Sequence, residues 1–114
     1  MNEEQMEVLI PLLTERFRAL ADENRLRLLI RLKSGEANVT TLSNELGLGQ
    51  ASVSKHLGIL KRAGLVAQRR DGAQSIYAVK EESIFDVCEV MCDSVRRQHL
   101  ETLESFGNLY PGQG

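Results

Sequence analysis

The stretch LGQASVSKHLGILKRAGLV, residues 48–66, decides how the chain folds. Its apolar residues Val53, Leu57 and Leu60 recur at helical spacing, and Gly64 follows as a stop signal. The stretch contains no carboxylate, and its other face carries small, hydrogen-bonding or cationic side chains: Gln50, Ser52, Ser54, Lys55, His56, Lys61 and Arg62. The pattern predicts an amphipathic helix whose exposed face is polar and positively charged.

Apolar periodicity predicts four further helices, at residues 5–21, 23–33, 41–46 and 81–106. Pro11 marks a kink in the first helix or its true start. Asp22 is the expected N-cap of the second helix, and Thr40 that of the third. Gly47 is expected just beyond the end of the third helix, so a tight turn separates the third helix from the fourth.

After the fourth helix the apolar period changes from 3.6 to 2. Residues 65–70 and 74–79 read as two strands, with Asp71-Gly72 at the turn of a hairpin. The fold class is therefore mainly α with a two-stranded β-wing. We expect one domain over residues 1–107 and a frayed tail over residues 108–114.

The composition fits a small globular domain. The 114 residues are 42% hydrophobic and 26% charged, and aromatic residues make up 4%. No apolar run reaches the roughly 18 residues of a membrane span. The acidic start, MNEEQMEV, lacks the basic segment of a secretory signal. Two cysteines, Cys88 and Cys92, are too few for a disulfide framework, so we expect a cytoplasmic protein without membrane contact.

The charges are unevenly distributed along the chain. The net charge is −2, yet the segment from Gln50 to Lys80 contains one acid, Asp71, and six cations. These cations are Lys55, Lys61, Arg62, Arg69, Arg70 and Lys80. A local basic face of this kind is the electrostatic footprint expected of a protein that binds a nucleic acid duplex.

Two short helices joined by a tight glycine-containing turn predict a helix-turn-helix, in which the start of the second helix meets base edges in the major groove. The hairpin then fits a wing that contacts the DNA backbone or the minor groove. The alternative is an ordinary solvated helix beside a surface hairpin. The candidate DNA-contacting residues are Gln50, Ser52, Ser54, Lys55 and His56 on the helix and Arg69, Arg70 and Gln74 in the wing.

Three segments give the chain a specific resemblance: Leu20-Ala21-Asp22-Glu23-Asn24-Arg25-Leu26-Arg27-Leu28-Leu29, Val53-Ser54-Lys55-His56-Leu57 and Gly64-Leu65-Val66. Together they resemble the ArsR/SmtB family of bacterial winged-helix repressors, over residues 5 to about 104. The resemblance implies a five-helix homodimer held by its first and last helices. It also implies a two-fold symmetric double-stranded operator and a small effector that releases it.

Apolar side chains on the first and last helices, with one histidine, are candidates for that dimer interface. They are Leu9, Ile10, Leu13 and Phe17 on the first helix and Phe85, Cys92, Val95 and His99 on the last. Phe85, Cys88, Cys92, Val95, His99, Thr102 and Phe106 follow steps of three and four residues, a spacing typical of a helix packed on a partner.

Two metal sites known in the resembled family are incomplete here. Where metal-sensing members have a cysteine-containing box, this chain has Glu36-Ala37-Asn38-Val39-Thr40-Thr41, which lacks a thiolate. On the last helix, Asp86, Cys88 and His99 match a zinc-site spacing, but Thr102 takes the place of the fourth ligand. We therefore expect no metal and no cofactor.

Cys88 and Cys92 lie four residues apart, on one face of the predicted last helix. A pair so placed is a candidate sensor of oxidants or arsenite. Packing as small apolar side chains is the alternative that we favour.

Two other classes of function compete with DNA binding. The sequence shows no phosphate-binding glycine loop, nucleophile elbow or zinc-protease motif, so we do not expect an enzyme. A winged helix that binds an acidic protein instead of DNA is the more serious rival.

Overall fold

The computed structural model describes residues 1–105, which form five helices and three strands. In chain order these are α1 (Glu3–Leu20), α2 (Glu23–Lys33), β1 (Ala37–Asn38), α3 (Val39–Leu46), α4 (Gln50–Arg62), β2 (Val66–Asp71), β3 (Gln74–Val79) and α5 (Ile84–Ser105). The predicted five helices and hairpin are confirmed. Phe106 and the predicted tail lie outside the described residues. The chain divides into two compact units, Met1–Glu81 and the part from Glu82 onward.

The first two helices begin at side-chain caps. Asn2 caps α1: its side chain accepts from the Gln5 N–H at 2.8 Å, and the Gln5 side chain accepts from the Asn2 N–H at 2.9 Å. Pro11 lies inside α1, so the expectation that it starts the helix is wrong. The cap of α2 is as predicted, because Asp22 Oδ1 accepts from the Asn24 and Arg25 N–H groups at 2.9 and 3.0 Å.

The cap of α3 corrects the sequence-based prediction. Asn38 begins the helix, since its backbone is extended and its Oδ1 accepts from the Thr41 N–H at 2.8 Å. Thr40, the predicted cap, already lies within the helix. The other end follows the prediction, because Gly47 takes the left-handed conformation at φ 67°.

The sheet is antiparallel, with strand order β1-β3-β2. Asp71 pairs with Gln74, so Gly72 and Ala73 form the turn, one residue later than predicted; Gly72 has φ 62°. A glycine with positive φ at the first central position favours a hairpin turn that suits the twist of the strands. The two-residue strand β1 pairs Ala37 with Tyr77 and adds a third strand that the sequence pattern did not predict.

The last helix begins later than predicted. Residues 82 and 83 form a turn, in which the Phe85 N–H bonds to Glu82 O and the Asp86 N–H to Ser83 O, both at 3.1 Å. Both bonds join residues three apart in sequence, as in a turn of 3₁₀ type, so α5 starts at Ile84 instead of residue 81. Among residues 1–105, no helix combines the length and the apolar character needed to cross a membrane.

An aliphatic core fixes the elements of the first unit. Its large, fully buried side chains come from α2, α3, α4 and the start of the hairpin. They are Leu28, Leu29, Leu42, Val53, Leu57, Leu60, Leu65 and Val66. Truncating one such leucine to alanine typically costs about 2–5 kcal/mol. Since α4 contributes Val53, Leu57 and Leu60, its rotation about its own axis is set by the core, and so is the face that it turns to solvent.

Candidate nucleic-acid interface

The turn between α3 and α4 is held by its own hydrogen bonds. The Leu48 N–H donates to Ser43 O at 3.2 Å, and the Ser43 hydroxyl donates to Leu48 O. Ser43 is buried, and Gly47 supplies the left-handed residue that reverses the chain. The two helices therefore form a helix-turn-helix with a fixed turn.

The predicted contact residues of α4 fall on its solvent side. Gln50, Ser54 and Lys55 are exposed, and Ser52 and His56 are half-buried at the margins. Three further residues lie there that are not among the candidate contact residues, although Arg62 was named as a cation of this face. Ala51, Gly58 and Arg62 share a face with Lys55 because they are spaced three and four residues apart, opposite the core positions. Ala51 has a small side chain and allows a close approach beside Lys55, whereas the Arg62 guanidinium lies next to Gly58.

The beginning of α4 is chemically open. Gly49 occupies the N-cap position, and within the described residues no side chain accepts a hydrogen bond from the first turn of α4. The first turn also carries no acid. The first N–H groups of a helix lack partners within the helix, and the helix dipole makes that end positive. The Val53 N–H already donates to Gly49 O at 3.0 Å, so the N–H groups that can receive an anionic oxygen are those of Gln50, Ala51 and Ser52.

His56 is tied to α2. Arg25 Nη1 lies 3.3 Å from His56 Nδ1, while Arg25 Nε and Nη2 donate to Ala19 O and Arg18 O at 2.6 and 3.1 Å. Asp22 Oδ2 is 3.9 Å from Arg25 Nη1. The pKa of Asp22 lies below its usual value, chiefly because its carboxylate accepts the Arg25 N–H, although partial desolvation opposes the shift. No sequence pattern had indicated the contact between His56 and Arg25.

The two wing arginines have different surroundings. Arg69 Nη2 lies 2.5 Å from Glu36 Oε1, and this carboxylate raises the pKa of Arg69. Arg70 points to the other side of β2, where its Nη1 makes a long 3.4 Å contact with Ser75 Oγ. The third predicted wing residue, Gln74, accepts from Asn38 Nδ2 at 2.9 Å. Of the two arginines, Arg70 has no carboxylate partner among the described residues.

Comparison with known proteins agrees with this architecture. The sequence profile of the bacterial regulatory proteins of the arsR family matches residues 22–68. The HTH-type transcriptional regulator Rv0081 of Mycobacterium tuberculosis is 38% identical over 87 residues, which are 75% of this chain and 76% of that protein. The biofilm growth-associated repressor of Xylella fastidiosa is 33% identical over 81 residues, 71% of each chain.

The chain belongs to the ArsR family.

Solved structures support the same assignment. The crystal structure of Rv0081 superposes with a TM-score of 0.74 at 33% identity, covering 83% of this chain and 96% of that chain. The homodimeric winged helix-turn-helix DNA-binding domain of Mb0332 from Mycobacterium bovis gives a TM-score of 0.73 at 28% identity, covering 89% and 93%. The chain is therefore a DNA-binding transcriptional regulator of the winged helix-turn-helix type.

In this ArsR-family regulator, α1 presents the apolar side chains that the sequence analysis named. Leu9, Ile10, Leu13 and Phe17 are each at least 40% exposed in the single chain. Met6, Val8 and Leu12 add to them. Exposed apolar side chains in such number on one helix are typical of a surface that contacts another protein, a membrane or a ligand.

Helix α5 is also apolar, and on more than one face. Of the predicted interface residues, Cys92, Val95 and His99 are exposed, and Phe85 is half-buried. The predicted stripe omitted the exposed apolar residues Val87, Val90, Met91 and Leu100. These lie between the positions of the stripe, so a single line of three and four steps could not include them.

Cys88 lacks the lowered pKa of a reactive thiol. Cys88 is half-buried and Cys92 exposed. Desolvation raises the pKa of the Cys88 thiol, and the neighbouring Cys92 raises it further. Reactive thiols instead have lowered pKa values. Among residues 1–105, no three His, Cys, Asp or Glu side chains gather closely enough to hold a metal ion.

Proposed function

We propose that the chain is a homodimeric repressor that inserts α4 into the major groove of a two-fold symmetric operator. The observation that carries the proposal is the outer side of α4, where an uncapped first turn without acids adjoins exposed Gln50 and Lys55. Helix N-termini and cations bind phosphates, and amide side chains read base edges. Ser52, Ser54 and His56 complete the contact on the same helix.

In the wing, we assign the first backbone contact to Arg70. Among the described residues, its guanidinium has one long contact, to the Ser75 hydroxyl, whereas Arg69 is engaged with Glu36. A phosphate must displace Glu36 before it can bind Arg69. Gln74, held by Asn38 near the hairpin turn, lies where a wing tip would meet the minor groove or the backbone.

Dimerisation supplies the second half-site. One recognition helix reads few bases, and two helices spaced about 34–36 Å apart read a two-fold symmetric site. The exposed side chains Leu9, Ile10, Leu13 and Phe17 of α1 support this assembly, and so does the apolar surface of α5 with Phe85, Cys92, Val95 and His99. Light scattering should give twice the chain mass of 12.7 kDa, whereas a monomer at micromolar concentration would contradict the proposal.

A dimer of this size would repress transcription by occupying the operator and so blocking access to it. It would act in the bacterial cytoplasm, where the chromosome lies. Release by a small effector completes the proposed cycle. A homologue of the chain, from Xylella fastidiosa, is named a repressor, which supports repression as the mode of action.

Selection of bound duplexes from a random pool, followed by titration of the selected site at several salt concentrations, tests the proposal. Lys55→Ala should weaken every duplex and reduce the salt slope by about 1, because one phosphate contact is lost. Gln50→Ala should change sequence preference more than salt slope. Lys33→Ala, at the end of α2, is the control for loss of a lysine elsewhere.

A pool that yields no preferred sequence, with affinities unchanged by Lys55→Ala and Gln50→Ala, would overturn the proposal. The fold would then serve as a protein-binding module, the rival interpretation of its basic face.

A further inference from the structure

Arg25 is a largely buried cation at the point where three helices meet. Its side chain is only 14% exposed, and each of its three guanidinium nitrogens has a partner. Nε and Nη2 donate to the last carbonyls of α1, at Ala19 and Arg18, and Nη1 faces His56 Nδ1 on α4. The carbonyls at a helix end lack partners within the helix, so these bonds fix the guanidinium firmly.

The chemistry of the contact determines where the imidazole carries its proton. A guanidinium has five N–H donors and no acceptor, and it stays protonated in proteins. His56 Nδ1 can therefore bond to Arg25 only through its lone pair. A proton on Nδ1 would bring two N–H groups face to face at 3.3 Å. The neutral imidazole must then carry its proton on Nε2, the nitrogen on the far side of the ring.

We propose that Arg25 is a positioning residue for DNA recognition, which fixes His56 in the Nε2–H tautomer and so makes it a hydrogen-bond donor toward the duplex. The proposal rests on the placement of α4 in the major groove. It assigns His56 an acceptor as its partner: a phosphate oxygen, or an acceptor on a base edge such as guanine O6 or N7. The exocyclic amino groups of cytosine and adenine are donors, so His56 would not select them.

The surroundings of the ring favour this arrangement. Asp22 Oδ2 lies 3.9 Å from Arg25 Nη1, so the buried guanidinium has a nearby counter-charge that does not occupy Nδ1. Asp22 Oδ1 is already engaged with the Asn24 and Arg25 N–H groups. Arg25 is thus the group that contacts Nδ1, and the half-buried ring keeps its other nitrogen for an outside partner.

Nitrogen-15 NMR of the free wild-type protein tests the tautomer without DNA. The chain has two histidines, so His99→Asn assigns the spectrum. At a pH where the imidazole is neutral, we expect His56 Nδ1 to show the shift of an unprotonated nitrogen and Nε2 that of a protonated one. A protonated Nδ1, or the average shift of exchanging tautomers, would overturn the proposal.

Two replacements of His56 test the donor in the complex. Gln places an amide nitrogen near the position of Nε2, whereas Asn places one near Nδ1. His56→Gln should keep operator affinity within about threefold, and His56→Asn should lose about tenfold, as expected for one lost directional contact. Equal affinities, or a better Asn variant, would contradict the proposal. Lys55→Ala reports separately whether α4 binds DNA at all.

A double-mutant cycle separates positioning from a purely structural role of Arg25. Lysine keeps the charge of Arg25 but cannot reach three acceptors at once, so Arg25→Lys should weaken operator binding about threefold to tenfold. In a His56→Ala background the same change should cost less than about twofold, because no imidazole remains to be positioned. Equal losses in both backgrounds would show that Arg25 acts only through stability.

Discussion

Helices α2 and α4 begin in opposite ways. At α2, the Asp22 side chain accepts from two backbone N–H groups, and Glu23 adds an acid to the first turn. At α4, Gly49 offers no side chain, the first turn has no acid, and none of the described side chains caps it. Replacing a polar cap by glycine costs only a few tenths of a kcal/mol. The difference teaches that the start of α2 is capped by its own side chain, whereas the start of α4 stays available for the DNA contact that we propose.

The two wing arginines repeat this contrast. Arg69 is paired with Glu36, an acid of its own chain, whereas Arg70 has no carboxylate partner among the described residues. In both pairs the member without an internal partner belongs to the surface that we assign to DNA, and the other member is engaged by a side chain of its own chain.

Adding a capping side chain at the start of α4 should have the largest effect on operator affinity. Gly49 has an extended backbone, and a Cβ added there meets no atom within 4 Å, so Gly49→Asp can place a capping carboxylate without strain. We expect stability to rise by about 0.5–1 kcal/mol. We expect operator affinity to fall by at least about tenfold, because the carboxylate takes the N–H groups and repels phosphate.

Chemical denaturation and operator titration of the same samples measure these opposite changes. Gly49→Asn is the matched control, since it caps α4 without charge and should lose less affinity. Unchanged operator binding by Gly49→Asp would mean that the helix end does not face DNA.

Releasing Arg69 from Glu36 should have the next largest effect on operator affinity. Glu36→Gln removes the carboxylate that holds Arg69, so we expect operator affinity to rise about threefold to tenfold and the salt slope to increase by up to about 1. Glu45→Gln is the control, because Glu45 pairs with Arg31 outside the wing and the change in net charge is the same. If both variants gain equally, Arg69 is not released to a phosphate.

Low pH should reduce the contribution of the Asp22 cap, at the start of α2, to the stability of the fold. Because the folded-state pKa of Asp22 lies below its usual value of 3.8, its contribution to stability is present above that value and is lost as pH falls through the folded-state pKa. The Asp22→Asn variant keeps a cap oxygen but does not titrate there. It should be less stable than wild type at about pH 6, with a smaller difference at about pH 3.

Denaturant titrations at the two pH values measure this difference, with Glu23→Gln as a control for removal of a neighbouring charge. A gap between wild type and Asp22→Asn that stays constant across the two pH values would contradict the assignment of the cap.

The smallest effect on operator binding is expected at the two cysteines of α5. In the single chain, Cys88 is half-buried and Cys92 is exposed. Because the pKa of the Cys88 thiol is raised in the folded chain, iodoacetamide at about pH 7 should modify Cys88 more slowly in the folded protein than in the protein unfolded by urea, as measured by mass spectrometry. We also expect the double variant Cys88→Ser/Cys92→Ser to bind the operator and to respond to peroxide or arsenite as wild type does. Loss of such a response would establish the pair as the sensor.

Local features of the fold could be predicted from the sequence. Asp22 at the start of α2, Gly47 at the end of α3 and the hairpin between β2 and β3 depend on neighbouring residues, and the structure confirms them. The strand β1 could not be predicted, because a two-residue strand has no visible alternation and forms by pairing with β3. Asn38 and Thr40 are both good caps two residues apart, and the pairing of β1 favours Asn38.

The contacts that adjust the site could not be predicted for a different reason. Glu36 and Arg69 are 33 residues apart in sequence, and Arg25 and His56 are 31 apart. Periodicity identifies the face of a helix on which a residue lies, but not which distant side chain meets it. The candidate residues of α4 could therefore be placed on its solvent side from the sequence, while the partners that hold Arg69 and His56 became visible only in the folded chain.

Amide hydrogen exchange in the free protein and in the operator complex tests the open end of α4 most directly. In the free protein, the N–H groups of Asn24 and Arg25 should already be protected by Asp22, whereas those of Ala51 and Ser52 should exchange rapidly. Binding of the operator should slow exchange at Ala51 and Ser52 and leave Asn24 and Arg25 unchanged. Rapid exchange at Ala51 and Ser52 in the saturated complex would contradict the account.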